Sequence, residues 1–231
     1  IIGMTLVAFG TSLPEFVVSL FAIFQGKIDL VMGNIVGSNI ANIGLVLGLS
    51  GIIYKIRCNF KEIRLDVVFL IITTISFSGM LYLNQFDNLY AFFLILILLI
   101  YIYILIKFNK VDNIADDINL DSSDSSSKLY FFITLGALGL AAGSYFLIES
   151  SILIARYFNI PEMVIGATAI ALGTSLPELV TCLKAAKKNE FELVLGNIFG
   201  SNIINIVLVF STSLLINNNI PQTKDFTFDV Q

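Results

Sequence analysis

The sequence predicts an all-α membrane protein built from two related halves of opposite orientation. First, hydrophobic residues make up 57% of the 231 residues and charged residues only 13%, with a mean hydropathy of +0.90. A soluble domain carries about 25% charged residues. Second, the apolar residues come in runs of about 20, the length that a helix needs to cross a bilayer. Third, one stretch of the sequence occurs twice at a constant spacing.

Seven apolar segments are long enough to cross a bilayer. They must be helices, because backbone polar groups in lipid have to be satisfied within the segment. We place them at residues 1–24, 29–53, 65–83, 88–107, 129–155, 161–186 and 192–216. The connections contain glycine, asparagine and charged residues, as turns do. The sequence therefore predicts a multi-pass protein, and we expect it in a plasma or inner membrane.

Residues 109–128 differ from the rest of the chain, because they are rich in serine and aspartate and poor in apolar residues. Such a stretch buries too little apolar surface to fold alone. We predict a disordered cytoplasmic linker over residues 108–128, between a first repeat (1–107) and a second repeat (129–231). The aspartates lack the glycine and final glutamate of an EF-hand loop, which favours a solvated linker over a Ca²⁺-binding loop.

The internal repeat is the strongest signal in the sequence. GMTLVAFGTSLPE from Gly3 recurs as GATAIALGTSLPE from Gly166, and LVMGNIVGSN from Leu30 recurs as LVLGNIFGSN from Leu193. Both pairs have the same offset of 163 residues, so one unit has been duplicated. The offset implies a parent protein of about ten helices, five in each half. We expect this chain to lack the first helix of the first half and the last two helices of the second.

An odd number of helices in each half places the second half upside down relative to the first. The basic residues agree with this orientation. If the linker is cytoplasmic, ten of the thirteen lysines and arginines lie on the cytoplasmic side, as the positive-inside rule requires. The homologous turns at Lys27 and Lys187 then lie on opposite sides of the membrane.

The motif Gly-Thr-Ser-Leu-Pro-Glu lies in the middle of an apolar segment in each half, at residues 10–15 and 173–178. Proline removes a backbone N–H and interrupts a helix. We therefore expect a broken helix near the bilayer midplane that frees backbone carbonyl oxygens from their hydrogen bonds and turns them inward. The expected carbonyls are those of Ala8, Thr11, Ala171 and Thr174. Glu15 and Glu178 end the two motifs, and two adjacent carboxylates repel each other unless a cation lies between them.

The second duplicated motif is G-N-x-x-G-S-N-x-x-N, at residues 33–42 and 196–205. Its serine and last asparagine are four positions apart and share one face of a helix. These residues are Ser38 and Asn42 in the first half, and Ser201 and Asn205 in the second. Their hydroxyl and amide oxygens are hard ligands that suit Na⁺ and Ca²⁺. Hydrogen bonding between helices explains the other asparagines of the motif equally well: Asn34, Asn39, Asn197 and Asn202.

Other functional classes find little support in the sequence. The chain has no histidine and no basic face, which argues against a zinc site and against nucleic-acid binding. Cys58 and Cys182 have no spacing that predicts a disulfide framework or a metal site. Neither a nucleophile–base pair nor a phosphate-binding loop is recognisable. We therefore expect neither enzyme activity nor a cofactor.

The paired GTSLPE and GN-x-x-GSN segments resemble the α1 and α2 repeats of the Ca²⁺/cation antiporter superfamily, and most closely its prokaryotic-type Na⁺/Ca²⁺ exchangers. The resemblance covers essentially the whole chain. It implies ten transmembrane helices in two inverted halves around a central ion site. It also implies an antiporter that exchanges Ca²⁺ for Na⁺ by alternating access, with these ions and the lipid bilayer as its partners.

Carried over by motif position, the resemblance also implies a role for each candidate residue. Glu15 and Glu178 bind Ca²⁺ centrally and share in Na⁺ binding, and the Thr11 and Thr174 carbonyls join them. The expected members of one Na⁺ site are Ser12, Ser38 and the Ala8 carbonyl, and those of its mate are Ser175, Ser201 and the Ala171 carbonyl. Asn42 and Asn205 lie between the glutamates. Some family members have aspartate at the position of Asn205, where it resembles a K⁺ determinant, so Asn205 favours exchange without K⁺.

Three alternatives to Na⁺/Ca²⁺ exchange stay open at this point. Protons can replace Na⁺ as the counter-ion, because glutamates can protonate, although the flanking hydroxyls favour Na⁺. A cation channel is a second alternative, which the expected helix breaks and tight glycine packing disfavour. A membrane Ca²⁺ sensor that acts through the acidic linker is the third.

Overall fold

The computed structural model describes residues 2–83, 87–108 and 126–216. Within these ranges the chain is helical and contains no strand. Five continuous helices are long and apolar enough to cross a membrane, and a bent helix pair around Ser175 raises the number to six if it counts as one span. The predicted all-α membrane fold is therefore confirmed, and the helices coincide with the seven apolar segments of the sequence.

The first half contains a broken helix, a long helix with a π-helical turn, and two uninterrupted helices. Its elements are α1 (Ile2–Thr11), α2 (Leu13–Phe24), α3 (Ile28–Ala41), a π-helical turn (Asn42–Leu47), α4 (Gly48–Ile53), α5 (Phe60–Leu83) and α6 (Asn88–Phe108). Elements α3, the π-helical turn and α4 follow one another without a gap. They account for the single apolar segment predicted over residues 29–53.

The second half begins with one long helix and then repeats the broken helix and the π-containing helix. Its elements are α7 (Ser126–Phe158), α8 (Glu162–Ile165), a π-helical turn (Gly166–Ile170), α9 (Ala171–Thr174), α10 (Leu176–Lys187), α11 (Phe191–Ile204), a π-helical turn (Asn205–Val209) and α12 (Phe210–Ile216). The turns before α3 and α11 also match. Gly26 and Asn189 are homologous, and both have a positive φ, of 70° and 63°.

Two predicted boundaries differ from the structure. Helix α5 begins at Phe60 rather than at residue 65, and α7 begins at Ser126, inside the predicted linker. Polar residues do not end a helix that extends beyond the hydrocarbon layer, because its backbone hydrogen bonds form within the segment in water as in lipid. The remainder of the predicted linker, residues 109–125, lies outside the described residues.

The two halves pack across each other. Helix α1 lies against α11, and α3 lies against the segment from α8 to α9. Glycines permit this contact: a Cβ at Gly37 would overlap the backbone of Ala167, and a Cβ at Gly200 would come within 2.9 Å of the Ala8 Cβ. Most of the residues from Phe191 to Ile216 are buried. The two repeated motifs therefore meet in the interior of the molecule.

Candidate cation site

The helix breaks place both glutamates at the start of a new helix. Ser12 and Ser175 leave helical geometry, with φ/ψ of −84°/2° and −80°/3°. A proline follows each of them within the first turn of α2 or α10, where its missing N–H removes no helical hydrogen bond. The second break bends the chain by 41°. Glu15 and Glu178 lie in these first turns, where the helix dipole favours a negative charge.

The expectation that the breaks free the carbonyls of Ala8 and Ala171 is wrong. The Ala8 oxygen accepts the Ser12 backbone N–H at 3.1 Å, and the Ala171 oxygen accepts that of Ser175 at 3.0 Å. The physical reason is the register, since the helical partner that Pro14 cannot reach lies four residues earlier, at Gly10. A carbonyl oxygen has a second lone pair, so a bonded carbonyl can still bind a cation.

The two Gly-Thr-Ser-Leu-Pro-Glu motifs contact each other through their serines and glutamates. Glu15 is 1% exposed and Glu178 is fully buried. Ser12 Oγ donates to Glu178 Oε1 at 3.2 Å, and Ser175 Oγ donates to Glu15 Oε1 at 3.4 Å. Each carboxylate is therefore held by the serine of the other half, and both motifs lie together in the interior.

The threonines and the first asparagines of the second motif form a further pair of contacts between the halves. Thr11 Oγ1 donates to Asn197 Oδ1 at 3.2 Å, and Thr174 Oγ1 donates to Asn34 Oδ1 at 3.3 Å. Asn34 and Asn197 are not among the site residues predicted from the sequence. Their exact duplication was the available signal, but helix packing explained that signal equally well.

Behind these asparagines the two halves differ chemically. Asn34 Nδ2 donates to Ser19 Oγ at 3.1 Å, whereas Asn197 Nδ2 contacts Cys182 Sγ at 3.4 Å. Ser19 and Cys182 are homologous at the repeat offset. A sulfur atom is a weaker hydrogen-bond acceptor than a hydroxyl oxygen. The second half therefore holds its asparagine less firmly than the first.

The predicted grouping of the serines of the second motif needs correction. Ser201 Oγ lies 3.4 Å from both the Ala8 carbonyl and Glu178 Oε1, so it joins Ser12 rather than Ser175. The cause is the crossing of the halves, which places α11 against α1.

Ser38, the serine of the second motif in the first half, also groups with the broken helix of the opposite half. Ser38 Oγ lies 3.4 Å from Thr174 Oγ1, and Thr174 Oγ1 donates to the Ala171 carbonyl at 3.3 Å. Ser38 therefore joins the second broken helix rather than the Ala8 carbonyl, because α3 packs against the segment from α8 to α9.

Asn42 and Asn205 begin the π-helical turns that follow α3 and α11. Such turns occur often at functional sites. The turn at Asn42 packs against α10, which carries Glu178, and the turn at Asn205 packs against α2, which carries Glu15. Both asparagines are buried. Each asparagine therefore begins a turn that contacts the glutamate-bearing helix of the opposite half.

Four oxygens of this region are buried and have no hydrogen-bond partner. Among the described residues, seven buried side-chain polar atoms lack a partner, and four of them are Glu15 Oε2, Glu178 Oε2, Asn42 Oδ1 and Asn205 Oδ1. Folded proteins leave few such atoms unpaired, and an ion is one of the groups that account for them. All four oxygens belong to residues that the sequence analysis selected.

The donor set suits a hard cation. It consists of carboxylate, amide, hydroxyl and carbonyl oxygens, which are the ligands that Na⁺ and Ca²⁺ prefer. Within the described part of the chain, no three histidine, cysteine, aspartate or glutamate side chains form a cluster that could hold a metal. The two glutamates therefore depend on neutral oxygens to complete a coordination shell.

Comparison with protein families gives a match over almost the whole chain. The model described as "Sodium/calcium exchanger protein" matches residues 1–107 and 128–231. The chain is 31% identical to the inner membrane protein YrbG of Escherichia coli (strain K12), over 94% of this chain and 69% of that protein. It is 31% identical to the sodium/calcium exchanger MaX1 of Methanosarcina acetivorans, over 92% of this chain and 72% of that protein.

Two further matches concern an antiporter and a solved structure. The putative antiporter CaxA of Alkalimonas amylolytica is 35% identical, over 94% of this chain and 70% of that protein. The sodium–calcium exchanger NCX_Mj, soaked with 2.5 mM Na⁺ and 0.1 mM Ca²⁺, superposes with a TM-score of 0.67 at 33% identity, over 93% of this chain and 69% of that chain. These similarities agree with the all-helical architecture described above.

Proposed function

The chain belongs to the sodium/calcium exchanger protein family, and we propose that it exchanges Ca²⁺ for Na⁺ across a membrane by alternating access. It is accordingly an integral multi-pass membrane protein of a transporter family, not of an enzyme family.

The observation that carries the proposal is the set of four unpartnered oxygens on Glu15, Glu178, Asn42 and Asn205. A buried ionised carboxylate is unfavourable unless opposite charge or hydrogen bonds compensate it. Here one oxygen of each glutamate receives a hydroxyl hydrogen bond and the other receives none. The two negative charges of Glu15 and Glu178 match one Ca²⁺ or two Na⁺, so we assign these four oxygens to a central cation site.

The hydroxyls supply a second part of the proposal, because they distinguish Na⁺ from a proton. We assign Ser12, Ser201 and the Ala8 carbonyl to a Na⁺ site beside Glu178, on the contacts between them. The corresponding groups beside Glu15 are Ser175, Ser38, Thr174 and the Ala171 carbonyl. We keep the Thr11 and Thr174 carbonyls as ligands of the central site. A proton needs no such shell of oxygens, whereas Na⁺ does.

Charge neutralisation couples the two ions. When the site is empty, two carboxylates are buried in a water-poor interior, and movement of that charge across the membrane is costly. Either one Ca²⁺ or several Na⁺ remove this cost. Only the ion-loaded protein therefore switches the side of the membrane to which the site is open. If more than two Na⁺ move for each Ca²⁺, the cycle transfers net charge, worth about 2.3 kcal/mol per charge at 100 mV.

The test is Ca²⁺ uptake into liposomes that contain the full-length protein. We expect an outward Na⁺ gradient to drive accumulation of radioactive calcium, and Glu15→Gln with Glu178→Gln to abolish it, because the site then carries no charge. Glu62→Gln is the control, since Glu62 is exposed at the start of α5. Wild-type uptake by the double variant would refute the assignment of the glutamates.

The same liposomes separate the alternatives. Uptake driven by a pH gradient without Na⁺ would identify protons as the counter-ion. The assignment of the hydroxyl groups to Na⁺ sites would then be wrong. Single-channel currents without counter-transport would identify a channel. Exchange that fails only when the acidic linker is deleted, while the glutamate variants stay active, would identify a sensor.

We further propose that residues 1–107 and 129–231 are the two inverted halves and that residues 108–128 connect them on the cytoplasmic side. The recurrence of equivalent contacts with the halves exchanged supports this division, as in Thr11 with Asn197 and Thr174 with Asn34. Structurally, Phe108 belongs to α6 and residues 126–128 to α7, so the connection is shorter than the sequence interval suggests.

A further inference from the structure

We propose that Asn39 and Asn202 are positioning residues that hold Asn42 and Asn205 with the amide oxygen, and not the amide nitrogen, toward the cation. The inference rests on the proposed function, because it concerns the same central site. Neither Asn39 nor Asn202 is a ligand in this proposal. They determine which end of a neighbouring amide the ion meets.

An asparagine in a cation site has an ambiguity that a carboxylate lacks. Its side chain carries an acceptor oxygen and an NH₂ donor of nearly the same size and shape. Rotation by half a turn about the last side-chain bond exchanges them and presents positively polarised hydrogens to the cation. A site that depends on asparagine therefore needs a neighbour that recognises one end of the amide.

Asn42 has such a neighbour. Its Nδ2 donates to Asn202 Oδ1 at 3.0 Å, while its own Oδ1 is buried and has no partner. In the opposite orientation, two amide oxygens would face each other at this distance, without a proton between them. The Asn202 oxygen thus favours the orientation in which the Asn42 oxygen is free to bind an ion.

The second half repeats the arrangement with the roles of the halves exchanged. Asn205 Nδ2 donates to Asn39 Oδ1 at 3.5 Å, and Asn205 Oδ1 is buried without a partner. Asn39 and Asn202 are homologous at the repeat offset, as are Asn42 and Asn205. Two copies of one arrangement, formed by different helices, argue against a fortuitous contact.

The first of the two positioning residues, Asn202, is itself held in place. Asn202 Nδ2 donates to the Asn39 backbone oxygen at 3.4 Å, and Asn202 is fully buried. Both line a mostly apolar cavity of about 770 Å³ between α3, α5 and α11. With its NH₂ group bonded to Asn39, Asn202 can present only its oxygen to Asn42. This chain of hydrogen bonds transmits a fixed orientation to the site.

The test is a double-mutant cycle on Ca²⁺ affinity, measured by equilibrium binding of radioactive calcium to the purified full-length protein. We expect Asn202→Ala to weaken binding by roughly tenfold, because the Asn42 amide loses its preferred orientation. In an Asn42→Asp background the same substitution should cost less than twofold, because a carboxylate presents an oxygen in either orientation. A purely structural role would give the same loss in both backgrounds and would overturn the proposal.

The mirror pair gives an independent measurement. Asn39→Ala should weaken Ca²⁺ binding in the wild type and not in an Asn205→Asp background. Ser211→Ala is the matched control, since Ser211 is fully buried and its hydroxyl has no partner. An unchanged affinity in both alanine variants would refute the positioning role while leaving Na⁺-driven uptake intact. Absence of Na⁺-driven Ca²⁺ uptake by the wild-type protein would instead refute the proposed function.

Discussion

Ser12 and Ser201 come from different halves of the chain, yet both donate to the same oxygen, Glu178 Oε1. Ser201 also lies 3.4 Å from the Ala8 carbonyl. A cation bound beside Glu178, as we propose, would therefore contact ligands of both halves at once. Any rearrangement of one half against the other changes this shell, which is the physical requirement for coupling ion binding to a change of access.

This arrangement predicts that Ser12 and Ser201 act as one unit in Na⁺ binding. We expect Ser12→Ala and Ser201→Ala each to raise the Na⁺ concentration for half-maximal Ca²⁺ exchange by roughly three- to tenfold. Combined, they should be non-additive by about 0.5–1.5 kcal/mol, because the second substitution removes a ligand from a site already damaged.

The control for this prediction is the pair of Ser12→Ala with Ser38→Ala. These serines lie in the same half but beside different carbonyls, so their effects on the Na⁺ dependence should add. Strong coupling between Ser12 and Ser38, with additivity between Ser12 and Ser201, would contradict the corrected grouping. It would restore the grouping that motif position alone implied.

At the level of elements, the site depends on the close approach of α3 to the helices of the opposite half. Gly37 faces the backbone of Ala167, and Gly33 faces the backbone of Met163 and Ala167. No side chain can be placed between these backbones. The glycines therefore set the distance at which Ser38 reaches Thr174, and the geometry of the hydroxyls follows from the packing of the helices.

We predict that Gly37→Ala separates α3 from the segment between α8 and α9. The added methyl group would overlap the backbone of Ala167, which cannot move aside as a side chain would. We expect destabilisation of about 1–3 kcal/mol and loss of exchange. Thermal unfolding in detergent and liposome uptake are the measurements. Gly79→Ala is the control, since a methyl group there meets no atom within 4 Å and alanine favours a helix.

At the level of the whole molecule, two equivalent sets of contacts enclose the site. The Lys27–Glu162 ion pair, at 2.6 Å, also joins the turn after α2 to the start of α8. Lys27 follows the first broken helix and Glu162 begins the second, so the proposed inversion of the halves would bring these two ends to one side of the membrane. The homologous turn after α10 would then lie on the other side.

This topology predicts opposite accessibility of homologous positions. Gln25 and Lys188 are related by the repeat offset. In a Cys58→Ser background, we expect Gln25→Cys to react with an impermeant thiol reagent from the outside of intact cells, and Lys188→Cys to react only after the membrane is opened. Cys182 is buried and should stay unlabelled. Labelling of both positions from the same side would exclude inversion.

The sequence by itself determined the helical membrane architecture, the duplication and the family. Each depends on local or periodic information, namely runs of apolar residues, a helix-breaking proline, and motifs that recur at one offset. It also selected Glu15, Glu178, Asn42 and Asn205, whose oxygens are the unpartnered ones in this region. Their chemistry is unusual for an apolar segment, so the signal does not depend on knowing what they contact.

Only the tertiary structure decided which groups come together. The repeat states that Ser12 and Ser175 are equivalent, but not which glutamate each one contacts. The hydrogen bonds that answer this question join residues 160 or 166 positions apart, and they depend on how the halves cross. The same is true of Ser201 with Ala8, and of Asn202 with Asn42. The repeat identifies which residues are equivalent, whereas the packing of the two halves joins each of these residues to a partner in the opposite half.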